Sequence, residues 1–134
     1  MLKHAIILLS FVCLSLHVDS QILQGADLNT VGQIKGDGTV LDEAGKLIGK
    51  IKPDGMVTNK HSVIVGFIKK DGSIENEAHK TVGFVLQDGT VQDGDKKIIG
   101  YIRDGVVTDQ NKETVGYAKN LPVTWIAAYF FFLF

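Results

Sequence analysis

The chain is 134 residues long, 45% hydrophobic and 22% charged, with a formal net charge of −1. That length leaves room for one domain, and the interspersed charges provide neither the basic stripe that suits nucleic acid nor a charge run suited to an anionic membrane surface. The single cysteine, Cys13, excludes a disulfide-stapled mini-domain, so stability has to come from packing.

The first predicted element is a secretory leader. Lys3 and His4 give a basic start, Ala5 to Leu16 an apolar run, and Val18-Asp19-Ser20 the small or β-branched residues that a signal peptidase reads. Cleavage is expected after Ser20, leaving Gln21 first in a secreted or cell-envelope protein. The run is shorter than the ~20 apolar residues of a membrane-spanning helix. A lipoprotein reading of Cys13 is disfavoured by bulky Phe11 and Val12 before it and by an apolar run that continues past it.

From residue 21 to 120 the chain repeats itself. A glycine preceded by a β-branched aliphatic stands at Gly32, Gly49, Gly66, Gly83, Gly100 and Gly116, in steps of 17, 17, 17, 17 and 16. Each of the first five is followed by an apolar residue, an Asp-Gly pair, an aliphatic, and then Asp or Asn. So strict a period is the signature of a repeat architecture. Alternation around Ile51 and Val57, with Pro53-Asp54-Gly55 between them, predicts a hairpin of two short strands. The first four loops have three residues, a length that favours a type I turn ending in a left-handed residue, and glycine fills that place at Gly38, Gly55, Gly72 and Gly89. The fifth loop is one residue shorter. Asp104-Gly105 alone suits a two-residue type I′ turn, which leaves the strand register intact.

A second turn closes each unit, led by Asp42, Asn59, Asn76, Asp93 and Asp109, whose side chains can accept from a backbone N–H two residues on. A calcium ladder is the functional alternative, but the glycine-rich nonapeptide of calcium-binding solenoids is missing. Turn chemistry is the preferred reading, and no metal or cofactor is expected.

A strand period of two puts the repeated glycines on one face with Ile34, Ile51, Ile68, Val85, Ile102 and Ala118. The opposite face carries Val31, Ile48, Val65, Val82, Ile99 and Val115 with Gln33, Lys50, Phe67, Phe84, Tyr101 and Tyr117. Both faces are largely apolar, which predicts a strand buried on both sides, its glycine marking a crowded axis. The rings at Phe67, Phe84, Tyr101 and Tyr117 invite carbohydrate stacking. Packing is preferred, since phenylalanine has no hydroxyl for a sugar.

Ile22-Leu23-Gln24 aligns with the second strand of a unit and Val115-Gly116-Tyr117-Ala118 with the first. Half a repeat at each end lets the termini pair and close a ring, removing sheet edges. The expected fold is therefore all-β, a closed radial array of five short hairpin repeats, or six with the split copy. The remaining segment, 121–134, ends in an uncharged run from Trp125 to Phe134 that is too short to span a bilayer as a helix. It can plug the ring, contact an outer membrane or lipid, or bind a partner, and its aggregation liability favours burial.

The repeated V/I-G-x-I-x-x-D-G-x-V-x-D/N, the leader, and the ending Pro-x-x-Trp-x-Ala-Ala before a phenylalanine run together resemble the bacterial 5-fold β-flower family. The resemblance covers essentially the whole mature chain. It implies a small radial all-β fold in an extracytoplasmic protein, and it brings no catalytic residues.

An enzyme would need a nucleophile held beside a base. The mature chain offers Ser62 and Ser73 with His61 and His79, all in or beside turns, and no glycine-rich loop joins a strand to a helix. The reading is a non-enzymatic structural or interaction module of the envelope, its partner unnamed. The alternative is a small-ligand, glycan-like binder using Tyr101 and Tyr117.

Overall fold

The computed structural model describes residues 20–134; the expected leader up to residue 19, with Cys13, lies outside them. Twelve strands carry the repeats: β1 (Ser20–Gly25), β2 (Thr30–Lys35), β3 (Thr39–Asp42), β4 (Leu47–Ile51), β5 (Met56–Asn59) and β6 (Ile64–Ile68). After them come β7 (Ser73–Asn76), β8 (Thr81–Val85), β9 (Thr90–Asp93), β10 (Ile98–Arg103), β11 (Val106–Asp109) and β12 (Thr114–Ala118). Each pairs antiparallel with its sequence neighbours, and β1 pairs with β12 through Leu23↔Ala118, Gln24↔Tyr117 and Gly25↔Gly116. The barrel is closed. Its last pair, β12 with β1, is split between the two ends of the chain, as the half-repeats require.

Turn chemistry sets the hairpins. Gly38, Gly55, Gly72 and Gly89 have φ of 90°, 94°, 91° and 91°, the left-handed state that glycine adopts without a Cβ penalty. In the shortened loop Asp104 (φ 53°) and Gly105 (φ 80°) are both left-handed, as a type I′ turn demands. Between hairpins the register slips by one residue beside Val40, Val57, Ile74, Val91, Val107 and Leu23. A bulge at every inter-hairpin joint bends and twists the sheet, which curls it into a ring.

Inward-facing residues form the core. Cross-strand pairs Ile34↔Val40, Ile51↔Val57, Ile68↔Ile74, Val85↔Val91 and Ile102↔Val107 line the wall, and Leu23↔Ala118 completes it at the seam. All twelve side chains are buried. Into the lumen runs the tail, a short helix α1 (Val123–Ala127) continued by a π-helical turn, Ala128–Phe132. Ile126, Ala127 and Ala128 are buried within the core, with Trp125, Tyr129 and the phenylalanines packed around them. Small residues at 127 and 128 let the helix backbone occupy a narrow axis already crowded by twelve aliphatic side chains.

One expectation is corrected here. The strand was expected to be buried on both sides, yet Val31, Ile48, Val65, Val82, Ile99 and Val115 on its outer face are only half-buried. Closure explains the difference: the tail covers the inner face, and the outer face is the wall of the barrel.

Candidate functional site

The half-exposed aromatic row on the outer wall is the candidate surface. Alternation turns Phe67, Phe84, Tyr101 and Tyr117 outward beside the inward glycines. Across the hairpin Phe67 pairs with Glu75, Phe84 with Gln92 and Tyr101 with Thr108. Three of these rings are capped by the turn that follows. His79 stacks on Phe67 at 4.3 Å between centroids and 15° between planes, Lys96 Nζ lies 5.7 Å from the Phe84 centroid, and Lys112 Nζ lies 5.8 Å from that of Tyr101. Attraction of a cation to the ring quadrupole makes the two lysine caps favourable, and the His79 cap is a ring stack.

The capping residues share one backbone state. His79, Lys96 and Lys112 have φ of 63°, 66° and 64°, the same left-handed position that Gly45 and Ser62 hold in their turns. Each turn is built on its leading Asp or Asn: Asp42 Oδ1 accepts from the N–H groups of Ala44 and Lys46, both at 2.9 Å, and Asn76 Oδ1 accepts from those of Ala78 and Lys80, both at 3.0 Å. The carboxylates of the other loops are used in the same manner. Asp54 Oδ1 accepts from Met56 N–H at 3.0 Å, and Asp88 Oδ1 from Thr90 N–H at 2.9 Å.

These bonds hold several carboxyls below their ordinary pKa. Backbone N–H donation from Thr39 depresses Asp37, that from Thr90 depresses Asp88 with the Arg103 charge adding to it, and that from Asn29 depresses Asp27. For Asp71 the largest cause is the Ser73 hydroxyl, which donates to Oδ1 at 2.6 Å. Burial raises Tyr129, and Glu43 and Asp42 nearby add to the effect; its Oη donates to the Val31 carbonyl at 3.0 Å.

Tyr101 borders a shallow hollow of about 200 Å³ with Arg103, Val106, Thr108 and Lys112. The Arg103 guanidinium carbon is 4.8 Å from the Tyr101 centroid, so two cations already occupy the ring. Arg103 is itself tethered, donating from Nε to the Asp88 carbonyl at 3.1 Å and from Nη2 to Thr90 Oγ1 at 3.4 Å. Tyr117 borders a different hollow at the seam, with Gln21, Ile22, Gln24 and Leu28. The two hollows share no residue, because Tyr101 is on β10 and Tyr117 on β12 with β11 between, about 10 Å apart at the usual strand spacing.

The loop glycines Gly38, Gly55, Gly72, Gly89 and Gly105 instead face the next hairpin. Each carbonyl accepts a backbone N–H from it, Gly55 from Ile68 at 2.7 Å and Gly105 from Ala118 at 2.9 Å. Of the residues weighed for catalysis, Ser73 donates to Asp71, His79 Nδ1 lies 3.2 Å from Glu75 Oε1, and His61 and Ser62 sit in an exposed turn. Among the described residues no three His, Cys, Asp or Glu side chains group to hold a metal ion, and no helix is long and apolar enough to cross a membrane.

Sequence reasoning missed the capping side chains, although their spacing is visible. His79 and Lys96 follow their rings by twelve residues, and Lys112 follows Tyr101 by eleven in the shortened unit.

The fold and surface define a closed antiparallel barrel of repeated hairpins, filled by its own tail. The chain belongs to the 5-fold beta-flower protein family, whose model matches residues 17–134. No curated protein and no solved structure matches it.

Proposed function

We propose that this chain is a non-enzymatic extracytoplasmic structural or interaction module, released by cleavage after Ser20. The observation that carries the reading is the filled lumen. Small barrels that hold ligands do so inside, whereas here Ile126, Ala127, Ala128 and the tail rings occupy that space. The turn-leading Asp and Asn residues, and the Asp residues of the four three-residue loops, accept backbone N–H bonds in their own turns. What is left to a partner is the outer wall and the two rims, a surface suited to docking another envelope component.

Fractionation of native cells with N-terminal sequencing of the isolated protein tests the compartment. Gln21 as first residue in an extracytoplasmic fraction is the expected result, and a cytoplasmic chain that retains Met1 would overturn it. Titration with a glycan panel tests the role. Saturable binding lost in either Tyr101→Ala or Tyr117→Ala would move the assignment to a small-ligand binder.

A further inference from the structure

Six consecutive tail side chains meet six glycines in order around the ring. A Cβ built on Gly32 would stand 2.7 Å from Tyr129 Oη, on Gly116 2.6 Å from Phe130 Cε1, and on Gly100 2.5 Å from Phe131 Cζ. At Gly83 it would overlap the Phe132 ring, at Gly66 it would lie 2.8 Å from Leu133 Cδ2, and at Gly49 2.6 Å from Phe134 Cε1. One step along the tail is one hairpin around the wall.

An α-helix turns by ~100° per residue, so an α-helical tail would skip notches spaced a sixth of a turn apart. The tail leaves α geometry at this level. Leu133 N–H donates to the Ala128 carbonyl, five residues back, at 2.8 Å, and the wider winding rotates less per residue than an α-helix, bringing each side chain closer to its notch, with the reach of the side chains making up the remaining difference. Every strand has its two neighbours without help from the tail. Tail and ring are therefore matched by side-chain shape.

Strand pairing does not define how many hairpins close. The joints Val40↔Gly49, Val57↔Gly66 and Ile74↔Gly83 repeat one register, and a ring with one hairpin fewer would satisfy the same ladders. We propose that the six glycine notches are a recognition site for an apolar helical segment read one side chain per hairpin. Seated there, the tail sets the number of hairpins in the ring. An unfilled notch is a cavity and a surplus side chain has no notch, so both miscounts are destabilising.

Double-mutant cycles test the one-to-one match. Gly83→Ala meets the Phe132 ring first, while the nearest backbone obstacle, the Gln92 carbonyl oxygen, is 2.8 Å away. In a Phe132→Ala background Gly83→Ala should lower the melting temperature by less than half its wild-type effect; in a Phe131→Ala background the full effect should remain. Equal effects in the two backgrounds would overturn the match.

Deletions test the count. Removing residues 65–81 takes out one 17-residue unit with Gly66, and removing Leu133 takes out the side chain seated on it. Each deletion alone should lower the melting temperature by about 10 °C or abolish the transition, and the two together should recover at least half of the loss. A combined variant that melts no higher than the unit deletion, or fails to fold, overturns the counting role.

Discussion

Leu133 lies against Gly66 so closely that a Cβ on the glycine would stand 2.8 Å from Leu133 Cδ2 while meeting the Glu75 carbonyl oxygen at 2.5 Å. One obstacle belongs to the plug and the other to the wall, so neither can yield alone. Gly66→Val should therefore destabilise the protein by about 3 kcal/mol through overpacking. Exposed Lys50→Gln should change stability by less than about 0.5 kcal/mol. Chemical denaturation of the pair checks both, and equal midpoints for Gly66→Val and wild type would remove the crowded axis from the account.

Asp54 and Gly55 share a loop but carry different weights. Asp54→Ala loses one exposed bond, from Met56 N–H at 3.0 Å, and should cost about 1 kcal/mol. Gly55→Ala forces a side chain onto φ of 94° and into the Ile68 carbonyl, so it should cost more than the ~1–2 kcal/mol of left-handed strain alone. Melting in EDTA and in calcium accompanies the pair. A melting temperature lowered by EDTA and restored by calcium would make the carboxylates ligands and discard the turn reading.

Ser62 predicts the opposite sign. It holds φ of 63° where the equivalent turn has Gly45, and a Cβ at Gly45 would meet no atom within 4 Å. Strain without crowding is relieved by glycine. Ser62→Gly should remove ~1–2 kcal/mol of left-handed strain against ~0.4–1 kcal/mol of added unfolded-state entropy, a net gain seen as a melting temperature higher by a few degrees. A lower one would show that the turn is not strained.

Acid should weaken the fold through the loop carboxylates. Asp71 is held below its ordinary value mainly by the Ser73 hydroxyl. A depressed folded pKa means that this stability is present above the unfolded value near 4 and is lost as pH falls through the folded one. Asp71→Asn still accepts the bonds and does not titrate. Its melting temperature should fall less steeply than that of wild type between about pH 5 and pH 2, and parallel curves would count against the linkage.

The ring was legible in the sequence because each level of the repeat states the same geometry. Gly55 and its counterparts define the loop, Ile51 and Val57 the inward face, and the half-units around Leu23 and Ala118 the seam. Residues whose chemistry does not announce their backbone state were harder to read. Ser62, His79, Lys96 and Lys112 occupy a left-handed position that only Gly45 advertises. The outer face misled for another reason: Val65 beside Phe67 reads as core, although both are only half-buried and His79 from the following turn caps the Phe67 ring. The π-helical winding has no periodic signature in a run of phenylalanines. Its trace is a coincidence of number, six repeat glycines and six side chains from Tyr129 to Phe134.

Removal of that run is the most severe change expected. Trp125, Tyr129, Phe130, Phe131, Phe132 and Leu133 are six large apolar side chains packed on or beside buried Ile126, Ala127 and Ala128, while Phe134 at the end is exposed. At half of the ~1.5–3 kcal/mol that burial of a large apolar side chain contributes, their loss matches the ~5–15 kcal/mol stability of a small domain. The hollowed ring would also expose twelve inward aliphatic side chains, Leu23 and Ile34 among them, to water. Deleting Trp125 to Phe134 should leave a chain without a cooperative thermal transition and prone to aggregate. Should the truncated chain remain soluble and melt at the wild-type temperature, the ring stands without its plug, and the tail has to be reassigned as an anchor for a membrane or a partner.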